Sequence, residues 1–441
     1  MYSAMVRRAL AERATPIRFG LIGAGAMGKG LLYQIMMTPG VRCSGLADIR
    51  IDAAIACAEE FAIPYRVVET AGELEDAAAA GVLPICEDGM LVAGADATDT
   101  LVEASSAIIP GAEFSLRAIE AGKHVILMNA EVDQAFGPAL AERARKAGVI
   151  CTSCDGDQHG VLKNVISDLE LWGFELVMAG NIKGFHDIRA NPVDIKPEAD
   201  KRKLDYKMCT AYTDGTKLNI EMSVIANALG LRTDVPGMHG PKAAHVDEVL
   251  DLFDFDELRE GGPVIDYILG AQPGGGVFAV GYHEQPFQQF MMDYYKMGPG
   301  PYYVFYRPYH LCHVEAMASM VQPTLHGTGL LESPSRFHTN VFAYSKTPLA
   351  AGTELDGLGG HALYGLVENV PDGKHQGLPI CLAEDVRLVR DVPADQPILL
   401  SDIEVDPNRL DFELYAESLE VTARDIASTE EADSRSHALR S

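Results

Sequence analysis

The stretch Gly23-Ala-Gly25-Ala-Met-Gly28 decides the fold. It follows an apolar run, Ile17-Arg-Phe-Gly-Leu-Ile22, and opens into Gly30-Leu-Leu-Tyr-Gln-Ile-Met-Met37, whose apolar residues have helical spacing. Strand, glycine turn and helix in that order is the setting a dinucleotide fingerprint requires. Gly23 allows the tight turn, Gly25 lets the backbone approach a pyrophosphate, and Gly28 lets the helix pack against the strand. The free amides at the start of the helix, those of Ala26 and Met27 among them, would hold the phosphates. A second apolar run, Val41 to Ala47, ends in Asp48, twenty positions after Gly28. That is where an acidic residue meets a ribose.

Strand-like and helix-like runs alternate outward from this turn as far as about Asp155. Asp52 to Phe61 reads as a helix, and residues 70–100 as a helix with an inserted loop. Asp99-Thr-Leu-Val-Glu-Ala104 reads as a buried strand and Gly111 to Ala121 as a helix. Lys123-His-Val-Ile-Leu-Met128 is the next strand, ending in Asn129-Ala-Glu131; a helix from Phe136 to Ala147 follows. Repeated βα units imply an α/β fold, with a Rossmann-type parallel sheet and right-handed crossovers. The ligand of such a sheet lies at the carboxyl ends of its strands, an edge that holds Glu103, Ala104, Asn129 and Glu131.

The chain has 441 residues, 36 of them basic and 63 acidic, for a formal charge of −27. That excess excludes nucleic acid or an anionic membrane as the main partner, because both need clustered cations. No apolar run reaches the length of a membrane span. Met1 to Ala14 lacks a long apolar core and reads as a short surface helix instead of a signal peptide, with a mitochondrial address as the alternative. A cytoplasmic location is expected. Of eight scattered cysteines, Cys151 and Cys154 form a CxxC with no second pair at zinc spacing, so buried, reduced, structural thiols are expected.

Three segments are expected: 1–155, the nucleotide-binding domain; 156–336, an α+β catalytic domain that also dimerises; and 337–441, a small all-β domain with a polar, fraying tail. The middle segment concentrates reactive side chains. One group runs from Lys183, His186 and Asp187 through Lys203 and Lys207 to Asp214-Gly-Thr-Lys217 and Glu221. Another is Tyr302-Tyr-Val-Phe-Tyr-Arg307-Pro-Tyr-His310, followed by His313 and Glu315.

The first segment resembles the nucleotide-binding half of homoserine dehydrogenases, through Gly23 to Gly28, Leu101-Val-Glu-Ala104 and Ala121-Gly-Lys-His-Val-Ile-Leu-Met-Asn129. Leu378 to Val405 resembles a SAF domain, a β-clip module. The combination is similar to the SAF-bearing homoserine dehydrogenase-like oxidoreductases, in particular their 1-deoxy-D-xylulose 5-phosphate reductoisomerase-like (DRL) branch. One departure sets homoserine aside. Homoserine dehydrogenases place a lysine soon after the asparagine that ends this strand, whereas here Asn129-Ala130-Glu131 stands, and Glu221 occupies a second position where a catalytic lysine is expected. The resemblance implies an NADPH-dependent reductoisomerase acting on a small phosphorylated sugar-like substrate, assembled as a homodimer.

Such a reaction needs a base for a substrate hydroxyl and an electrophile on a carbonyl oxygen. Lys217, at a helix entrance, is the first choice for electrophile or proton donor, an exposed helical lysine being the alternative. Lys183 with Asp187, as a charge-coupled pair, is the second. His310 is a catalytic or a buried hydrogen-bonded histidine, and Glu131 could place a hydroxyl or a metal. Arg307 is a phosphate fork, with Lys203, Lys207 and Lys242 as weaker phosphate candidates. A divalent metal, magnesium or manganese, has two candidate sets: His310, His313 and Glu315, or Asp155, Asp157 and His159. On residues alone the nucleotide stays open, since Asp48 favours a free 2′-hydroxyl and Arg50 a 2′-phosphate. Two rival functions are a dehydrogenase of another small polyol, hydroxy acid or aldehyde, and a non-catalytic NAD(P)-sensing module.

Overall fold

The computed structural model describes residues 2–202, 204–406 and 408–440, with backbone alone for residue 2 and for 432–440. Lys203 lies outside the described residues. The chain forms two compact units: Met1–Asp157 with Leu311–Ser335 and Leu414–Val421, and Gln158–His310 with Arg336–Glu413 and Thr422–Ser441. The units are interleaved, where the sequence reading drew contiguous domains.

The first unit is a Rossmann-like sheet. Its strands are β1 (Ile17–Ile22), β2 (Val41–Ala47), β3 (Tyr65–Val67), β4 (Leu83–Cys86), β5 (Thr100–Glu103), β6 (His124–Leu127) and β7 (Cys151–Ser153). They lie in the order β7-β6-β5-β1-β2-β4-β3, and every neighbouring pair is parallel. A short strand, Leu331–Glu332, closes the β7 edge antiparallel. Strand order reverses between β1 and β5, which makes the crevice at their carboxyl ends the ligand position of an open α/β sheet. The core joins Phe19, Leu21, Leu46 and Ile126 to Leu31, Leu32 and Ile35 of helix Ala26–Met37. Val6 and Leu10 of helix Tyr2–Ala11 enter the same core, so the amino-terminal helix is not confined to the surface.

The second unit holds a mixed sheet of β8 (Glu175–Lys183), β9 (Arg232–Thr233), β10 (Val264–Leu269), β11 (Val277–Tyr282) and β12 (Tyr302–Arg307), in the order β12-β11-β8-β10-β9. β8 is central, parallel to β10 and antiparallel to β11, and it ends at Lys183. Helix Thr216–Leu229 is buried along its length from Thr216 to Asn227. Burial of so many polar residues is supported by hydrogen bonds to a two-stranded ladder, Thr339–Ser345 against Leu363–Asn369. Thr216 Oγ1 accepts the Gly365 N–H, Asn219 Oδ1 that of Val367, and Asn227 Oδ1 those of His338 and Thr339, at 2.8–2.9 Å.

Strands Glu354–Asp356, Glu384–Leu388 and Ile403–Glu404 form a further sheet. The expected fraying tail is instead part of a 31-residue helix, Leu410–Arg440. Leu414, Tyr415, Ser418, Val421 and Thr422 pack the first part of this helix, while residues 423–431 are exposed or half-buried.

Candidate functional site

The nucleotide-binding edge of the first unit is built from backbone contacts. Gly23 has φ +98°, and a Cβ there would meet the Ala104 carbonyl at 2.6 Å. A Cβ on Gly28 would fall 1.8 Å from the Gly23 carbonyl, so only glycine lets helix and turn meet. Gly25 differs: it is exposed, and a Cβ there would meet nothing within 4 Å. No side chain caps helix Ala26–Met37 at Gly25. An open glycine at an uncapped helix start fits a bound diphosphate. Asp48 braces the turn. One carboxylate oxygen accepts the Ala24 N–H at 2.6 Å, the other the Arg50 N–H at 2.8 Å, while the Arg50 side chain is exposed.

The two glycines separate stability from binding. Gly28→Ala is expected to destabilise the protein by about 1–3 kcal/mol through overpacking. Gly25→Ala should leave the melting temperature alone and weaken nucleotide binding. Thermal melts and fluorescence titration of both variants check this; equal melting losses would remove the distinction.

Glu103 ends β5, Asn129 follows β6 at the start of helix Ala130–Ala147, and both are buried. Glu103 Oε1 accepts the Ser105 N–H at 2.9 Å, and Asn129 Nδ2 donates to the Ala107 carbonyl at 3.0 Å. Burial pushes the Glu103 carboxyl up to about 7, against the opposing pull of Ser105 and Asn129. The folded state therefore holds this proton more tightly than the unfolded chain does. Stability should fall as pH rises from the ordinary glutamate range to about 7, and Glu103→Gln should flatten that fall. Urea midpoints across this window would show the same slope in both proteins if the assignment is wrong. Glu131 is buried in the first turn of helix Ala130–Ala147.

The second unit gathers a buried and half-buried cluster of titratable groups where β8 ends and helix Thr216–Leu229 begins. Lys217 is buried, not an exposed helical lysine, with Nζ 3.9 Å from Glu221 Oε1 one turn on. Lys183 Nζ donates to the Tyr212 carbonyl at 2.6 Å. Burial holds the Lys183 ammonium below its ordinary value, with Glu221 and Asp214 pulling the other way. Asp214 caps helix Tyr206–Thr213, and burial raises its carboxyl although Lys346 Nζ sits 2.8 Å away. Lys346 also donates to the Ala190 and Gly360 carbonyls at 2.6 and 2.9 Å.

His186 completes the cluster. Its Nε2 lies 3.0 Å from the Asp214 carbonyl, which can only accept, so Nε2 carries the proton and Nδ1 accepts from the Tyr267 hydroxyl at 3.3 Å. Gly215, at φ +86°, lets this ring approach, since a Cβ there would meet His186 Nε2 at 2.5 Å. Lys346 and Tyr267 were not singled out from sequence, and Asp214 entered only as part of the reactive segment before Lys217. A lysine and an aspartate inside apolar surroundings are a signal only once their burial is known.

Other candidates lie elsewhere or are already engaged. Lys183 and Asp187 form no ion pair. Lys183 ends a strand and turns to Tyr212, while Asp187 is exposed and accepts the Arg189 N–H at 3.0 Å. Lys207 is held by Glu384 Oε1 at 2.6 Å and the Asp356 carbonyl at 3.1 Å, which occupies it structurally. Lys242 is exposed. Arg307 ends β12, an edge strand, with its guanidinium 4.9 Å from the Tyr309 ring. His310 follows, half-buried. Of the metal candidates, His313 packs against Gly30, Glu315 accepts the Leu311 N–H at 3.0 Å, and Asp155 accepts that of Gly156 at 2.7 Å. Buried His159 and Glu221 bring ligand atoms within 4.8 Å of each other. Cys151 and Cys154 are free, buried thiols, raised by burial.

Residues 156–316 match the catalytic domain of the oxidoreductase DRL. With the Rossmann-like unit, that match makes the chain an NAD(P)-dependent oxidoreductase. No curated protein matches it. Among solved structures it is similar to a probable dehydrogenase from Thermotoga maritima, at 12% identity and a TM-score of 0.41, over 71% of this chain and 90% of that one. A DOX-P reductoisomerase in complex with NADPH, fosmidomycin and magnesium is similar at 19% identity and a TM-score of 0.32, over 47% of this chain and 56% of that one. KijD10, a 3-ketoreductase from Actinomadura kijaniata, is similar at 20% identity and a TM-score of 0.29, over 40% and 51%. These likenesses are too distant to assign a substrate. Among the described residues no helix is long and apolar enough to cross a membrane.

Proposed function

We propose that the chain is an NADPH-dependent reductoisomerase that converts 1-deoxy-D-xylulose 5-phosphate into 2-C-methyl-D-erythritol 4-phosphate. The observation that carries this reading is the burial of Lys217 with Glu221 and Asp214, and half-buried Lys183 within electrostatic reach of both carboxylates, inside the segment that matches the DRL catalytic domain. The rearrangement cleaves and reforms a carbon–carbon bond, passing through an aldehyde. The nucleotide supplies the hydride for that aldehyde. Gly23 to Gly28 would hold its diphosphate, and Asp48 with Arg50 its ribose end.

The chain's own groups supply the proton chemistry. Lys217, buried beside Glu221, would stabilise negative charge developing on a substrate oxygen, where low dielectric strengthens the attraction. Lys183 would deliver a proton, since burial has already loosened its hold on one. His186, with both ring nitrogens engaged by the Asp214 carbonyl and the Tyr267 hydroxyl, would hold the segment after Lys183 against the start of helix Thr216–Leu229.

The test is NADPH oxidation by the purified chain with deoxyxylulose phosphate, run with EDTA and with added magnesium, because divalent ions polarise hydroxyketones well. Substrate-dependent oxidation and a branched product by NMR are expected. A folded, nucleotide-binding protein that oxidises no NADPH in either condition would falsify the reading. A second reading, a dehydrogenase of an unphosphorylated polyol, hydroxy acid or aldehyde, gains from the commitment of Lys207 to Glu384, which removes one phosphate donor. It predicts reduction with the carbon skeleton unchanged.

A further inference from the structure

The amino-terminal edge of the first sheet, where β1, β5 and β6 begin, carries a cavity of about 860 Å³. This end of the strands is opposite to the nucleotide-binding edge. The volume falls in the range of small-molecule sites. Arg13, Arg18, Arg42 and Lys123 line it together with Asp96 and Asp99, an excess of two positive charges in a chain of formal charge −27.

The cations are unequally engaged. Arg18 is satisfied by Asp99, at 2.5 and 3.1 Å. Lys123 is buried and donates one proton to the Thr98 carbonyl at 3.0 Å, which leaves the ammonium two further donors. Arg13 is exposed, its Nε 3.3 Å from the Thr15 carbonyl. The Nε of Arg42 is buried and has no hydrogen-bond partner among the described residues. The half-buried Arg42 side chain lines the cavity, and guanidinium groups match a planar anion well. His124 also lines the cavity; burial holds it below its ordinary value, so it adds a neutral donor or acceptor and no charge near pH 7.

We propose that this cavity binds a small dianion, a phosphate monoester or a dicarboxylate, with Arg42 and Arg13 as its main ligands. The proposal is independent of the catalytic reading, since it concerns neither the glycine turn nor the buried lysine cluster.

Calorimetric titration of the full chain with inorganic phosphate, and separately with succinate, tests it near neutral pH and low salt. NADPH is present throughout, so that the glycine turn does not compete for phosphate. Saturable binding of at least one dianion is expected, weakening as salt is added, and whichever binds tells phosphate from dicarboxylate. Arg42→Gln and Arg13→Gln should each weaken it roughly tenfold, the usual loss for a charge-assisted hydrogen bond. No saturable binding of either dianion below about 10 mM, or wild-type affinity in both variants, overturns the proposal. If Arg42→Gln does not fold, Arg13→Gln decides, because its side chain is exposed and supports no core.

Discussion

Lys183→Met should lower turnover about a thousandfold, within the range of a lost general acid, and leave NADPH affinity unchanged. The side chain ends β8, with its Nζ bound to the Tyr212 carbonyl. Burial disfavours its charged form, and the carboxylates of Glu221 and Asp214 only partly restore it. A lysine in that state loses its proton at a lower pH than a solvated one. If the proton is delivered during turnover, kcat must fall as pH rises through that lowered value. The basic limb of the kcat profile should therefore lie below the pH where ordinary lysines titrate, and the residual activity of the variant should lack it. A purely structural lysine would behave otherwise. Its loss would lower the melting temperature and leave the shape of the pH profile intact, and that outcome would end the assignment.

Lys346→Met should destabilise the second unit by about 3–5 kcal/mol, the cost of leaving one member of a buried ion pair alone. Lys346 satisfies Asp214 and two carbonyls at once, and both charged side chains are almost fully buried. The loss should depend on pH in a definite direction. Burial already raises the Asp214 carboxyl, so without the lysine it keeps its proton to still higher pH. The destabilisation should therefore grow as pH rises through the raised Asp214 value and be constant at lower pH, where both proteins hold the proton. Asp214→Asn in the same chain should recover most of the loss, because the stranded charge is then gone. Urea denaturation at two pH values measures both effects; a pH-independent loss with no recovery would contradict the pairing.

The nucleotide edge was legible because its requirements are local. Gly23 and Gly28 are dictated by atoms a few residues away or on the next strand, and the acidic residue after β2 follows from sheet geometry. Residues 70–100 were harder. β4, Leu83-Pro-Ile-Cys86, is four residues long and contains a proline, so neither alternation nor length announced a strand. Reading Lys183 and Asp187 as a pair on a loop or short turn took nearness in sequence for contact, but Lys183 still belongs to the strand and its side chain goes to Tyr212. Lys346 and Asp214 meet from distant positions, which no local pattern encodes. The carboxyl-terminal helix was masked by its polar composition, because only a narrow stripe of it is buried.

The interleaving of the first unit bears on how the protein is made. Strand Leu331–Glu332 caps the β7 edge, and Arg143 reaches Glu417 at 2.6 Å. A nascent polypeptide leaving the ribosome thus emits the glycine turn some three hundred residues before Leu331–Glu332, the strand that finishes the sheet around it. The open β7 margin in the meantime is a natural client surface for chaperones.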